Sequence, residues 1–555
     1  VPFRAAWGGG VVRVVSPKIA LDASDEAALR AARGRSGGAA GGGGAARARP
    51  RVEVTDGSFR LATAEGHSLV AERFGAILEP GARVQVALRG VVGALALGRG
   101  AFDPSFSFDG LDLDVPLAGL RPAGAPKVRV HGGALRPLPT LALTGIMGTV
   151  GPLAGAPETL EVNLYGSYGG ARERLWNASG QLQLPRSARE LEGLISLRAD
   201  RFTLDKVSDI LPASILTPEN TNVDASLDLR FHEGRVGIAG TFDMSGLSVH
   251  HPAVAAEPAL DLAMSFRIDG ELDLARRRLE LALFEARLRD LVGRVQGSVE
   301  LLPRAHTFAD GSSLPVTPRI DLGLRISKIP CQKALTSIPA VVVPHLQGFE
   351  LKGVFDADLS LHLHFDDLES LQLGGKIGID GCTVLKAPEE VLRLGTGESV
   401  PQFVEIPTGP AGDAGTTEML AFIVGPENPS FVPFDEISPH FVNAILTTED
   451  SGFWKHKGFA TSEFRTALKR NLERGGFRLG ASSITMQMVK NLLLSQEKTL
   501  SRKLQELFLV WHLERVLPKE RILELYFNAI EYGPRIYGIG PAARHYFGKS
   551  AWELT

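Results

Sequence analysis

From about Arg51 to Ala387, apolar and polar residues alternate with period two, as in Val223-Asp224-Ala225-Ser226-Leu227-Asp228-Leu229-Arg230-Phe231 and again from Leu279 to Arg289. Side chains of a strand point alternately to its two faces, so this pattern predicts long amphipathic strands. Gly, Asp and Pro punctuate the segments, and short helical stretches are expected at Ser187 to Leu194 and Lys206 to Leu211. The region reads as extended antiparallel sheet. Between Leu394 and Thr417 the glycines and prolines Gly395, Gly397, Pro401, Pro407, Gly409, Pro410, Gly412 and Gly415 erase any period, as a domain linker would. Beyond it, apolar positions recur at three and four in Phe441 to Leu446, Leu504 to Val516 and Ile522 to Phe527, which predicts a helical domain beginning near Phe431.

These changes of period divide the chain into a flexible segment (1–50), a β-rich region (51–387), a Gly/Pro-rich linker (388–430) and a helical domain (431–555). The first segment holds the run Gly37 to Gly44 among Arg33, Arg35, Arg47 and Arg49, too poor in apolar surface to order itself. Its arginines suit either anionic lipid heads or plain solvation.

Composition narrows the function classes. A chain of 555 residues with 44% hydrophobic residues, 22% charged residues and a formal net charge of −3 is ordinary globular protein, with no basic excess to suggest nucleic acid. Cys331 and Cys382 are too few for a disulfide scaffold or a zinc site of cysteines; an oxidising compartment would pair them, a reducing one would leave two thiols. The apolar run Val86 to Leu97 is broken by Arg89 and falls short of the ~20 residues that span a bilayer. No transmembrane helix is expected, and Val1-Pro2-Phe3 opens without a signal-peptide pattern, so an anchor or leader is expected upstream of this fragment. His362 and His364, two apart on a strand, share a face with Asp356 and Asp358; the group suits a metal, although a solvated polar face is the default.

The segment Glu449-Asp450-Ser451-Gly452-Phe453-Trp454-Lys455-His456-Lys457-Gly458 puts two carboxylates, an aromatic pair and a histidine at the end of an apolar helix. Acids at a helix C-terminus oppose its dipole, which points either to function or to a solvated end with a capping histidine. Four further signatures follow in order. The first segment is similar to "EDxxFxxHxG"; Gly480 to Gln487, with Lys490 and Asn491 after it, to "G(G/A)STITQQ"; Arg502-Lys503-Leu504-Gln505-Glu506 to "RKxxE"; Lys519 to Gly533 to "KxxILExYLNxxxxG"; and Gly540 to Lys549 to "GxxxAAxxYFGK". Together they resemble the family 51 glycosyltransferases, the peptidoglycan transglycosylases.

The resemblance implies a lysozyme-like all-α domain that polymerises lipid II into β-1,4-linked glycan strands with release of undecaprenyl diphosphate. It implies Glu449 as the base that deprotonates the acceptor 4-hydroxyl, and Glu506 as a second essential carboxylate that orients basic residues or holds a divalent cation, Mg or Mn, at the diphosphate. Asp450, Phe453, His456, Ser482, Gln487, Lys490, Lys498, Arg502 and Lys503 would bind substrate, the cations facing the departing diphosphate, while Tyr526 and Asn528 pack. Met486 stands where the family has a glutamine, Ser483 where it has threonine and Lys498 where arginine is usual; the family's helices are also expected to continue past Thr555. Phe464 to Phe477 would be a jaw dipping into the membrane. Ser495 and Lys498 match "SxxK", but no "KTG" appears, which excludes transpeptidation.

The implied setting is the periplasmic side of the inner membrane of a Gram-negative-type bacterium, with lipid II, the growing lipid-linked strand, the membrane surface and other cell-wall synthesis proteins as partners. The β-rich region, with its repeated LxLxL phrases, resembles AsmA-like envelope proteins, whose curved sheets are associated with lipid handling. Two rival readings stand beside polymerisation: a non-catalytic scaffold binding lipid or lipid II, and a muramidase using the same two glutamates.

Overall fold

The computed structural model describes all residues except 1–3, 9–10, 23–49, 65, 97–102, 119–120, 169–172, 184–190, 408–416, 460, 475–481, 496 and 498. The chain forms two compact units, one of residues 1–248 and 261–286, the other of residues 249–260 and 287–555.

The first unit is a meander of antiparallel strands. Arg51–Ala62, Ser68–Glu79, Arg83–Ala94, Ser105–Ala118, Lys127–Arg136, Leu143–Leu153, Ala156–Tyr168, Trp176–Gln183, Glu192–Thr203, Asn222–His232 and Arg235–Val249 each pair with the next. The period-two alternation is thus realised as predicted, because each strand needs only one face covered. The amino-terminal segment departs from its expected flexibility. Arg4–Gly8 pairs antiparallel with Val11–Val15, and Val11–Val15 and Lys18–Leu21 run parallel to Arg51–Ala62. Its β-branched residues Val11, Val12, Val14, Val15 and Ile19 favour a strand once a sheet edge is present to pair with. The glycine run Gly37 to Gly44 and its arginines lie outside the described residues. The helix expected at Ser187 to Leu194 is not formed where it is described: Glu192–Thr203 is strand, its ladder partners on both sides overriding local propensity. Around Lys206 the chain makes one 3₁₀ turn, Leu204–Val207.

The second unit holds the antiparallel strands Leu291–Leu302, Thr317–Pro330, Glu350–His364 and Asp367–Ile377, with Cys382–Lys386 paired to the start of Glu350–His364. The apolar run from Leu279 to Leu301 is two strands, broken at Arg289, whose φ of 53° turns the chain. Eight helices of this unit are described: α1 (Cys331–Ser337), α2 (Glu389–Thr396), α3 (Pro439–Glu449), α4 (Thr461–Arg474), α5 (Ile484–Leu493), α6 (Leu500–Val516), α7 (Lys519–Ala529) and α8 (Ile539–Phe547).

The expectation of an all-α carboxy-terminal domain is overturned. Glu531–Gly533 pairs with Ile536–Tyr537 once the last helical residue, Ala529, has been passed, and a hairpin of Val400–Pro407 and Thr417–Val424 lays Phe422 on Tyr537 at 4.7 Å between ring centroids. The hairpin and α2 also occupy the stretch expected to be a linker. Its glycines and prolines hid short β-favouring runs such as Phe403-Val404-Glu405-Ile406, and Pro410 to Gly415 lie outside the described residues. One hydrophobic core runs from Val343, Leu346 and Phe349 through Leu394, Val400 and Val424 to Phe453, Ile484, Leu513 and Phe527, so segments that precede the helices in sequence share their interior.

Cys331 and Cys382 form a disulfide with Cα atoms 5.9 Å apart, joining the start of α1 to the start of Cys382–Lys386. Trp511 and Phe508 of α6 pack against it. No helix among the described residues is long and apolar enough to cross a membrane.

Candidate active site

α3 begins at a cap in which Ser438 Oγ accepts from the His440 amide at 3.3 Å with Pro439 in the first turn, and it buries Val442 and Leu446. It stops at Asp450, whose φ of −161° is extended. Glu449 is therefore the last helical residue and is exposed, whereas Asp450 turns inward and is 4% exposed. The buried Asp450 carboxylate accepts from the Ile484 amide at 3.0 Å, capping α5, and from His456 Nε2 at 2.8 Å. The Gly458 amide donates to His456 Nδ1 at 3.0 Å, which leaves the ring proton on Nε2, facing Asp450. Phe453 is fully buried, with Lys519 Nζ 4.2 Å above its ring. Asp450, Phe453 and His456 are thus brought together beneath the surface, where they fix the loop that follows Glu449.

Gly458 has a φ of +86°, and a Cβ there would lie 2.4 Å from Val510 Cγ1. Only glycine allows both that backbone and the close approach to α6.

The segment 482–487 links the first motif to the cations. Gln487 Nε2 donates to Glu449 Oε2 at 3.0 Å, and Tyr526 Oη donates to Gln487 Oε1 at 3.2 Å. Burial, with Glu449 and Asp450 nearby, pushes the Tyr526 phenol far up, so it stays protonated and remains a donor. Ser483 caps α5, accepting from the Met486 amide at 3.3 Å and donating to the Gly458 carbonyl at 2.6 Å. Ser482 Oγ lies 3.5 Å from Lys503 Nζ. Met486 is 5% exposed within the core, so the side chain that departs from the family pattern packs rather than lines the surface. Thr485 donates to Glu514, which Lys519 also holds at 3.0 Å. Nothing in sequence spacing had singled out this buried Glu514 set, because its members come from three helices.

On α6, Glu506 is 1% exposed, with Arg502 on one carboxylate oxygen and Lys503 on the other, the latter at 2.6 Å. The i, i+3 and i, i+4 spacing makes this possible on one helix face. Both oxygens face cations, so this carboxylate offers a divalent ion no open ligand side; the donor set does not fit Mg or Mn. Arg502 and Lys503 remain partly exposed at 17% and 33% of their side chains. The start of α6 is braced from outside the helical segment. The Leu500 and Ser501 amides donate to the Ala253 and Val254 carbonyls, each at 2.8 Å, and the His345 amide donates to Gln505 Oε1 at 2.8 Å. Lys490 is half-buried on α5 with no ion pair among the described residues, and Lys498 lies outside them.

α4 covers the expected jaw as far as Arg474, and Phe477 lies outside the described residues. Lys469 pairs with Glu369, and the Glu473 carbonyl accepts from the Ala309 amide at 3.0 Å, so this helix rests on the sheet of its own unit. Tyr526 and Asn528 pack as expected, Asn528 exchanging two bonds with the Val432 backbone at 2.9 and 2.8 Å. Tyr526 additionally reaches Gln487, which its spacing had not suggested.

The geometry at hand is an exposed carboxylate oriented by an amide, and a cation pair anchored on a buried acid. Residues 416–555 match the family described as Transglycosylase. Over 125 residues the chain is 46% identical to the biosynthetic peptidoglycan transglycosylase of Nitrosospira multiformis, covering 22% of this chain and 54% of that protein. It is likewise 46% identical to the protein of that name from Nitrosomonas eutropha (22% and 51% covered) and 43% identical to that of Acinetobacter baumannii (22% and 56% covered). The chain spans about half the length of the curated relatives it matches.

Proposed function

We propose that this protein is a peptidoglycan glycosyltransferase that extends glycan strands from lipid II with release of undecaprenyl diphosphate, working at the periplasmic face of the inner membrane. The reading rests on the bridge made by residues 482–487: Gln487 holds Glu449, and Ser482 meets Lys503 beside Glu506.

In this mechanism Glu449, exposed at the end of α3, takes the proton of the acceptor 4-hydroxyl as that oxygen attacks the donor's anomeric carbon with inversion. Gln487, itself fixed by Tyr526, keeps the accepting oxygen in place before substrate arrives. Negative charge collects on the departing diphosphate, and Arg502, Lys503 and Lys490 are the cations available to it, with Ser482 as a hydroxyl donor. Glu506 acts at one remove, holding two long cationic side chains in a fixed pose. Leu500, Leu504 and Leu507 form an exposed apolar stripe on the same helix as the cations, the surface a prenyl chain or the outer leaflet would contact.

The test is Glu449→Gln in this protein, assayed with labelled lipid II. Polymer formation should fall at least ~100-fold, as loss of a general base does. Undiminished polymerisation would remove Glu449 from the role, and shortened rather than lengthened strands would favour a muramidase.

A further inference from the structure

On the sheet of the second unit, on strands that carry none of the carboxylate and cation residues of α3 and α6, three metal-ligating side chains converge. Asp321 on Thr317–Pro330 lies directly across from His362 on Glu350–His364, and His364 follows two residues on, on the same face. His362 Nδ1 meets Asp321 Oδ1, and His364 Nε2 meets Asp321 Oδ2 at 3.0 Å; the two rings are 4.1 Å apart between centroids. The three candidate ligand atoms lie within 4.8 Å of one another. Asp356 and Asp358, which share the histidines' strand face, are not part of the group: Asp358 pairs with Arg325 at 2.8 Å, and Asp356 sits beside Gly378.

We infer that Asp321, His362 and His364 form a binding site for a first-row divalent cation, best suited to zinc. Tetrahedral ligands about 2.1 Å from zinc stand roughly 3.4 Å apart, so a contact of 3.0 Å between Oδ2 and Nε2 needs only a few tenths of an ångström of opening to admit the ion. Two imidazoles and one carboxylate are a ligand set that selects zinc and its neighbours over magnesium or calcium, which prefer all-oxygen cages. The side chains are 35%, 22% and 43% exposed for His362, His364 and Asp321, which leaves a solvent side for a fourth ligand.

The flanks are compatible with a cation. Arg319, opposite His364 in register, is itself neutralised: Asp366 holds its guanidinium through Nε at 3.0 Å, with Glu300 3.9 Å away. Ser298 lies across from Asp321 on one side and Gln372 across from His362 on the other, so a polar row runs over four strands. An ion bound here would tie Thr317–Pro330 to Glu350–His364 by side chains as well as by the ladder, and Glu350–His364 also pairs with the strand Cys382–Lys386 that carries one half of the disulfide.

The experiment titrates the metal-stripped full chain with zinc by calorimetry and with cobalt by visible absorption. One ion per chain, with Kd in the micromolar range or tighter, is expected, together with the absorption of four-coordinate cobalt. His362→Gln/His364→Gln should weaken binding at least ~100-fold and Asp321→Asn at least ~10-fold, while melting in EDTA stays that of the parent. X-ray absorption at the zinc edge of the unsubstituted protein should report two imidazole ligands, a readout that does not depend on a variant folding. Binding weaker than about 1 mM, an unchanged stoichiometric site in the double variant, or an edge spectrum without imidazole overturns the assignment.

Discussion

Gln487 joins Glu449 to Tyr526: its amide nitrogen donates to the Glu449 carboxylate at 3.0 Å while its carbonyl oxygen accepts from the Tyr526 hydroxyl at 3.2 Å. The carboxylate only accepts, so the amide nitrogen faces Glu449 and the amide oxygen is left for the Tyr526 hydroxyl, whose burial keeps its proton available to donate. Gln487→Leu should therefore lower kcat by about 10-fold or more with little change in melting temperature, and Tyr526→Phe by a smaller factor. Steady-state kinetics on lipid II, beside thermal melts, separate the two effects. Equal kcat in both variants and the parent would show that Glu449 needs no such support.

The Glu506 cluster yields a stability prediction of a definite sign. Glu506 is buried and its partners are not, so removing both cations leaves an unpaired carboxylate in the interior. Arg502→Met/Lys503→Met should cost about 3–5 kcal/mol, and adding Glu506→Gln to that pair should recover much of the loss. Urea unfolding of the double and triple variants measures it.

At Gly458 the constraint is backbone and steric together. Gly458→Ala faces a φ of +86° and a clash with Val510, and should destabilise by about 2–3 kcal/mol. A neutral result in denaturant melts would mean that the 450–458 loop relaxes freely.

The disulfide closes a separation of 51 residues, for which loop-closure entropy gives about 4 kcal/mol. Cys331→Ala/Cys382→Ala should lower stability by roughly that amount, and the emission of Trp511, packed on the bridge, should change with it. Unaltered stability would assign the bridge no structural weight.

His512 is 8% exposed, in ring contact with Phe349 at 5.7 Å, and its burial lowers its pKa. The unfolded chain then binds the proton more readily than the folded one. Stability from this residue is full above the ordinary histidine value of about 6.5 and is lost as pH falls below it. Melting temperatures between pH 7.5 and 5.5 should drop less for His512→Gln than for the parent. An equal drop in both would exclude this histidine as the source.

Alternation with period two identified the β-rich region because it follows from strand geometry alone, and the ordered motifs from Glu449 to Lys549 were legible because chemistry fixes residue type and spacing locally. Sequence by itself placed Glu449 and Asp450 together at the end of an apolar helix, and only the family resemblance told them apart. What it did not resolve depended on partners distant in the chain. The strands of the amino-terminal segment and of the hairpin at 400–424 form because a sheet edge or a core surface receives them, and glycine and proline content concealed both. The burial of Asp450, Phe453, His456 and Met486, the cations that hold both oxygens of Glu506, and the backbone of Ala253 and Val254 at the head of α6 were decided by tertiary packing, which pairs residues that sequence spacing cannot connect. The same holds for Asp321: two histidines announced themselves by their spacing, but their carboxylate partner was set by the register of the neighbouring strand.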